Sequence, residues 1–361
     1  MAATEIMPVV RRRFAPSAVG LLGRTLVALA ILAAVAVAPL LADITWNQRI
    51  ALAAIYAVIG LSVNVITGHA GQVSLGHQAF VGIGAFASAF VVSRLGGDFL
   101  MAVVVATLTG AALAALLGLV ALRVSGLYLA LVTLAFGLTA ETTLFNWRAF
   151  TGGGAGAEAP RPALLAGEMQ YAYLCLGVLG LVLLLDWRLM KTKAGRAIVA
   201  VRNNERVAAT LGINVTGYKL LAFVISGGLA GVAGALFAHW NTVVQALDFD
   251  FQIALVWVLM AVVGGLGSRA GVVIGSAFFA LLPHVLPEWL EHVPNRPDFL
   301  SEATLHVVAP FIGALLLLLT LTLYPGGIGQ QLAPLRRWLG GGPLAHHRRP
   351  APEQPPDQEE R

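Results

Sequence analysis

Residues Asp186–Lys219 read DWRLMKTKAGRAIVAVRNNERVAATLGINVTGYK, and they form the longest polar interruption between two apolar runs of the chain. The stretch carries Arg188, Lys191, Lys193, Arg196, Arg202, Arg206 and Lys219 against Asp186 and Glu205 alone. Within it, Ile198, Val201, Ala208 and Leu211 recur at roughly helical spacing, while Arg202, Asn203, Glu205 and Arg206 fall largely on other faces. The pattern predicts one short amphipathic helix over Ala197–Leu211, stopped by Gly212. Such a helix either lies on lipid headgroups or plugs into a partner's groove. Composition slightly favours the headgroups.

Outward from this stretch the chain is overwhelmingly apolar. Of its 361 residues 58% are hydrophobic and 11% charged, whereas a soluble domain has about a quarter of its residues charged. So few charges cannot cover a water-exposed surface. The apolar runs approach the ~20 residues that cross a ~30 Å hydrocarbon core. The weak ten-residue alternation of a transmembrane barrel is absent. The fold class is therefore all-α, a polytopic membrane helical bundle. Spans are expected at about Thr25–Leu41, Ile50–Ile66, Phe80–Arg94, Phe99–Leu122, Gly126–Asn146, Tyr171–Leu185, Leu220–Trp240, Phe251–Val263, Val272–Leu286 and Leu305–Leu323. That makes about ten, within a range of eight to eleven because residues 50–95 include candidate broken pieces. The first run follows Arg11, Arg12, Arg13 and Arg24 and reads as a retained anchor rather than a signal peptide.

Charge orients the bundle. With the triple-arginine end inside, the inside loops are 67–79, Arg123, 186–219, Arg269 and the C-terminal tail with Arg336, Arg337, Arg348 and Arg349. The outside loops 43–49, 95–98, 147–170, 241–250 and 287–304 hold Asp43, Asp98, Asp248, Asp250, Glu288 and Glu291. One register sorts nearly all the charge, which places both termini in the cytoplasm. The expected organisation is a basic tail 1–24, a transmembrane domain 25–324 with the loop 186–219 on its cytoplasmic side, and a tail 325–361 whose composition predicts disorder. The net charge of +5 belongs to membrane-flanking positions and implies no nucleic-acid partner. The lone Cys175 excludes an intramolecular disulfide and a cysteine-based metal site.

The segment Thr67–Ala79, TGHAGQVSLGHQA, has no Lys, Arg, Asp or Glu. Gly68, Gly71 and Gly76 alternate there with Gln72, Ser74, His77 and Gln78. Glycines break a helix and free backbone groups. Inside a bundle such backbone lines a cavity or packs in protein, so the segment is either a discontinuous helix beside a transport path or an ordinary tight turn. His69 and His77 are too few for a metal. Gly227-x-x-x-Gly231-x-x-Gly234 and Gly271-x-x-x-Gly275 read as close-packing faces, within the bundle or at a dimer seam. Gly264, Gly265 and Gly267 lack the lysine of a phosphate loop, so any ATP is bound by another subunit. Glu141 near a span end and Asn64, Thr133, Ser226, His239 and Asn241 on apolar helices are further polar points, either path-lining or bonded to neighbouring helices. No nucleophile–base pair or paired carboxylate points to an enzyme.

The ordered blocks TGHAGQVSLGHQAFVGIGAFASA (67–89), GLYLALVTLAFG (126–137), TGGGAGAEAPRP (151–162), Gly195–Ala238, VVGGLGSRAGVVIG (262–275) and a closing Pro-Gly element, Tyr324–Gly329, resemble the permeases of branched-chain amino-acid ABC importers, the LivM branch. ERVAATLG, Glu205–Gly212, is similar to the ABC coupling motif with the spacing one residue short. Val272 departs from a usual proline, and Ala157–Ala159 lacks the usual apolar residue before Pro-Arg-Pro. The resemblance implies a bacterial inner-membrane permease subunit that carries Leu, Ile and Val by alternating access. It implies a LivH-like sister permease, two cytoplasmic ATPase subunits that bind ATP and Mg, and a periplasmic or lipid-anchored binding protein. This chain itself would hold no cofactor. It implies that Arg202, Asn203, Asn204, Glu205, Arg206, Ala208, Ala209 and Gly212 couple to the ATPase. It moves Asn64, Gly68, Gly71, Gln72, Ser74, His77, Gln78 and Thr133 toward the translocation region. Alternatives are the same machine with urea, short amides or aromatic acids as cargo, and a stand-alone ion-coupled transporter, which would show intramembrane charge relays and inverted repeats.

Overall fold

A computed structural model describes residues 18–121, 124, 126–291 and 326–331, with four isolated helical positions between 315 and 323. Residues 36–331 form one compact unit, and of the rest of the chain only the helical residues from Ala18 onward are described. Among the described residues eight helices are long and apolar enough to cross a membrane. The first expected span, Thr25–Leu41, is a shorter apolar stretch of helix α1 (Ala18–Leu41). The expected span Leu305–Leu323 and both tails fall almost wholly outside the described residues. The eight helices make the chain a multi-pass membrane protein.

The core is built by α2 (Ile44–Val63), α3 (His77–Leu95) and α10 (Val215–Asn241), whose spans are mostly buried. Around them stand α4 (Phe99–Ala121), α5 (Leu127–Thr139), α7 (Glu168–Lys191), α11 (Phe251–Gly264) and α12 (Arg269–Glu291). These outer helices expose Leu108, Leu116, Leu119, Leu181 and Leu184, side chains that hydrocarbon accepts and water does not. Glycines let α10 touch its neighbours backbone to backbone. A Cβ added at Gly231 would sit 2.1 Å from the Ala106 carbonyl oxygen on α4, and one at Gly234 would sit 2.0 Å from the Val81 oxygen on α3. The small-residue face is thus a seam inside the bundle. Gly271 and Gly264 do the same for α11 and α12.

Loops gather at two ends as the alternation of spans groups them. At one end are the short α6 (Arg148–Thr151), a two-residue pair of strands and the turn before α11. Strand β1 (Ala157–Glu158) runs antiparallel to β2 (Val243–Val244), with Ala157 opposite Val244. Arg161 fastens this end: its Nε donates to the His239 carbonyl (2.7 Å), Nη2 donates to the Trp240 carbonyl (3.0 Å), and its guanidinium lies 4.3 Å from the Tyr171 ring centre. A cation capping the last carbonyls of α10 suits the negative end of the helix. Phe86, Phe145, Phe237 and Phe249 fill the space beneath with ring centres 5.4–5.9 Å apart. Arg49 also pairs with Glu288 here.

At the other end lie the break after α2, helices α8 (Lys193–Asn203) and α9 (Glu205–Thr210), the α11–α12 turn and the short α13 (Gly327–Gln331). Two expectations change here. The helix expected over Ala197–Leu211 is two helices. Asn204 separates them with extended backbone (φ −162°, ψ 108°) and caps α9 by accepting from the Val207 N–H (3.1 Å); asparagine's short amide favours caps over helix interiors. The sixth span also runs on past Leu185 to Lys191, so Asp186 is a buried helical residue rather than the start of a loop. The stop at Gly212 stands: its φ is +78°, and the Ile213 and Gly212 N–H groups return to the Ala208 and Ala209 carbonyls, both 3.0 Å.

Candidate translocation and coupling site

The break begins as a widening. Helix α2 passes into a π-helical turn, Asn64–His69, in which the Ala70 N–H reaches the Val65 carbonyl (3.1 Å); such turns are local expansions often found at functional positions. Residues Gly71–Gly76 then leave the helix, Gly71 with φ +70°, and α3 starts at His77. The turn closes on itself: Gln72 N–H donates to the Ile66 carbonyl (2.9 Å) and Thr67 Oγ1 donates to the Gln72 carbonyl (3.2 Å).

Neighbouring helices grip this turn through its polar atoms. Asn64 Oδ1 accepts from the Gly267 N–H in the α11–α12 turn (2.7 Å). Leu75 N–H donates to Thr133 Oγ1 on α5 (3.0 Å), and that hydroxyl donates to the Ala130 carbonyl (2.9 Å). A Cβ at Gly76 would meet the Thr133 carbonyl oxygen at 1.9 Å, so α3 and α5 touch through main chain. Beneath the turn, Ser62 Oγ donates to the Ser226 carbonyl (2.7 Å) and Ser226 Oγ donates to the Ser62 carbonyl (2.8 Å), a reciprocal pair that also holds His77 Nε2 at 2.7 Å from Ser62 Oγ.

A charged cluster lies beside the break. Asp186, fully inside the bundle, faces His69 Nε2 (Oδ1, 3.2 Å) and Arg269 Nε (Oδ2), and its carbonyl accepts from Arg269 Nη2 (3.3 Å). Three elements are thereby joined: the π turn, α7 and the start of α12. A buried carboxylate persists only when paired and hydrogen-bonded.

Helix α8 connects to the same place. It is N-capped by Thr192, whose Oγ1 accepts from the Gly195 N–H (3.2 Å), and it buries Ala197, Ile198 and Val201. Its Arg202 reaches back into the bundle: Nη1 donates to the Gly68 carbonyl, and its stem packs where a Cβ at Gly71 would lie 2.9 Å from Cγ. Glu205 stays exposed and pairs with the buried Lys219 (2.6 Å). Arg202, Asn203, Asn204, Glu205, Arg206, Ala209 and Gly212 are exposed, with Val207 and Leu211 beside them, while Ala208 is buried. The two residue groups drawn from the sequence therefore meet at Arg202.

Other polar points serve the bundle. His239, fully buried, bridges Ser88 Oγ (3.1 Å) and the Pro160 carbonyl (3.0 Å), and Asn241 Nδ2 bonds the Val243 carbonyl (2.9 Å). Glu141 lies on a second π turn, Ala140–Leu144, at the end of α5. Sequence reasoning missed Ser62 and the His69–Asp186–Arg269 cluster. An acid followed by the helix-compatible WRLMK was the available signal for the latter.

A broken, uncharged and polar segment at one end of a multi-pass helical bundle, tied through Arg202 to the α8–α9 pair, is an arrangement suited to a membrane permease. The chain belongs to the family described as the branched-chain amino acid transport system permease component, which matches residues 47–323. It is 32% identical over 269 residues to the high-affinity branched-chain amino acid transport system permease protein LivM of Escherichia coli (strain K12), covering 67% of this chain and 63% of that protein. A probable branched-chain amino acid transport permease protein LivM of Methanocaldococcus jannaschii is 24% identical over 294 residues, 68% of this chain and 84% of that one. The autoinducer 2 import system permease protein LsrC of Enterobacter sp. (strain 638) is 34% identical over 124 residues, 32% of this chain and 36% of that one. The chain thus spans under two thirds of the length of the E. coli relative. No solved structure matches it.

Proposed function

We propose that the protein is the permease subunit of an ATP-driven importer and passes branched-chain amino acids across the inner membrane by alternating access. It pairs with a LivH-like sister permease. Two ATPase subunits, which bind the ATP and Mg, sit on the α8–α9 side, and a binding protein delivers cargo to the opposite end, where loop 147–170 receives it together with loop 287–304, of which 292–304 lie outside the described residues. The chain itself carries out no hydrolysis. The observation that supports this reading most is the hydrogen bond from Arg202 to the Gly68 carbonyl. It makes the coupling segment and the broken span one mechanical unit. In this scheme α9 presents Arg206, Val207 and Leu211 to the ATPase. ATP-driven closure moves α9, and α8 carries the motion through Arg202 to the Gly68–Gly76 turn, whose displacement opens one side and closes the other. The test is leucine uptake into vesicles containing the whole assembly. Replacing Arg202–Arg206 by a Gly/Ser stretch is expected to abolish coupled uptake while the subunits still copurify; uptake at the parental rate would sink the coupling assignment.

A further inference from the structure

Around the start of α3 the structure leaves polar atoms with nothing to bond. Ser74 Oγ, His77 Nδ1 and both amide atoms of Gln78 are buried and have no hydrogen-bond partner. Ser74 is 1% exposed, and His77 and Gln78 are 0% exposed. Buried polar groups are nearly always satisfied, so four free atoms within five residues need a reason. Gly76, the residue before the helix, has no side chain to cap its first turn. The Gln78 amide folds back beside it: a Cβ placed on Gly137 would meet Gln78 Nε2 at 2.5 Å and Gly76 Cα at 2.7 Å.

The hydrogen-bond chain beneath assigns the roles. The Ser62 hydroxyl proton goes to the Ser226 carbonyl and the Ser226 proton goes to the Ser62 carbonyl. Ser62 Oγ therefore accepts from His77, and Nε2 carries the ring proton. Nδ1 of a neutral imidazole is then an acceptor. The free set is thus one acceptor nitrogen, one amide carbonyl, one amide NH2 and one hydroxyl, beside the positive end of a 19-residue helix. None of these side chains carries a fixed charge. A set with both donors and acceptors and no net charge matches a dipolar ligand rather than a lone anion or cation.

We infer that the start of α3 is a transient site for the paired ammonium and carboxylate groups of an α-amino acid, with His77 Nδ1 and Gln78 Oε1 accepting from the ammonium, and Gln78 Nε2, Ser74 Oγ and the first turn of α3 donating to the carboxylate. The inference rests on the permease reading above and specifies which end of the cargo the broken span holds. In this structure α5 closes the site through Thr133 and Gly137; cargo enters when α5 parts from Gly76. The hydrophobic side chain of the cargo is left to the rest of the path, so the site fits Leu, Ile and Val alike.

The experiment has two arms on the complete transporter. In detergent, L-leucine is expected to raise the permease melting temperature at millimolar concentration, whereas 4-methylpentanoate, lacking the ammonium, and isopentylamine, lacking the carboxylate, are not. Gln78→Leu is expected to lose the leucine shift and about tenfold or more of leucine uptake. Its own melting temperature should match or exceed the parent's, because an apolar isostere removes two unpaired buried atoms. Ser74→Ala, a smaller change, should weaken both effects in the same direction. A leucine shift that survives Gln78→Leu and Ser74→Ala, or uptake by both at the parental rate, overturns the inference: the free atoms would then hold only water. Equal shifts with the three compounds overturn it too. If the parent transporter takes up no amino acid, the permease reading falls with it; if it does and Gln78→Leu matches it, only the present inference falls.

Discussion

Gly76 touches α5 so closely that no other residue fits without moving main chain. An added Cβ would be 1.9 Å from the Thr133 oxygen and 3.0 Å from the Gly137 nitrogen, and neither is the end of a flexible side chain. Gly76→Ala is expected to destabilise the protein by about 1–3 kcal/mol, as overpacking generally does. Gly177 on α7 is the control, because nothing lies within 4 Å of its added Cβ; Gly177→Ala should stabilise by about 0.5–1 kcal/mol through helix propensity. Thermal unfolding of the two variants in one detergent checks the opposite signs. At this scale the sequence was partly legible. Glycines interspersed with Gln72, Ser74 and Gln78 around 67–79 announced a break, since polar side chains between glycines supply no apolar face to hold a helix together. The partners of each group were not legible, because Ser62, Thr133, Ser226 and Gly267 come from distant segments and only packing selects them.

At the scale of elements, the α8–α9 pair shows where periodicity misleads. Ile198, Val201, Ala208 and Leu211 keep a helical rhythm across a helix end, because α9 resumes one residue later and still lies on the bundle through Ala208. Two consecutive asparagines were the local warning. Asn204→Ala removes the cap on the Val207 N–H and is expected to cost α9 about 1 kcal/mol. Backbone amide exchange over residues 205–211 should then accelerate roughly fivefold, with exchange in α10 unchanged. The small-residue stripe on α10 was read correctly as packing, with its counterparts on α3 and α4 unknown until the helices were placed. Asp186 was misjudged because an acid ending a leucine-rich run looks like an interface. Its two partners, His69 and Arg269, lie 117 residues before it and 83 after it, out of reach of any local pattern.

For the whole molecule, charge sorting grouped the loops before any coordinates, and among the described residues 67–79, 186–219 and Arg269 share one end while 43–49, 147–170 and 241–250 share the other. This worked because the insertion preference of Lys and Arg acts on each loop separately and needs no knowledge of packing. The side that faces the cytoplasm is open to direct measurement. Cys175 is buried, so single cysteines at exposed positions report topology against a silent background. A cysteine at Arg206 is expected to react with a membrane-impermeant maleimide only after the inner membrane is opened, and one at Glu158 is expected to react in intact spheroplasts. The reverse pattern would invert the orientation and remove the ATPase from the α8–α9 end.

The contact between Arg202 and position 68 has a genetic corollary. Its receiving atom is a peptide oxygen, which every amino acid supplies, so codon changes at 68 cannot delete the acceptor and act only by moving it. The donor, in contrast, depends wholly on the codon at 202. A selection for revertants of an Arg202 lesion should therefore return the original codon or a nearby replacement donor, and compensating alleles at position 68 should be missing from the spectrum.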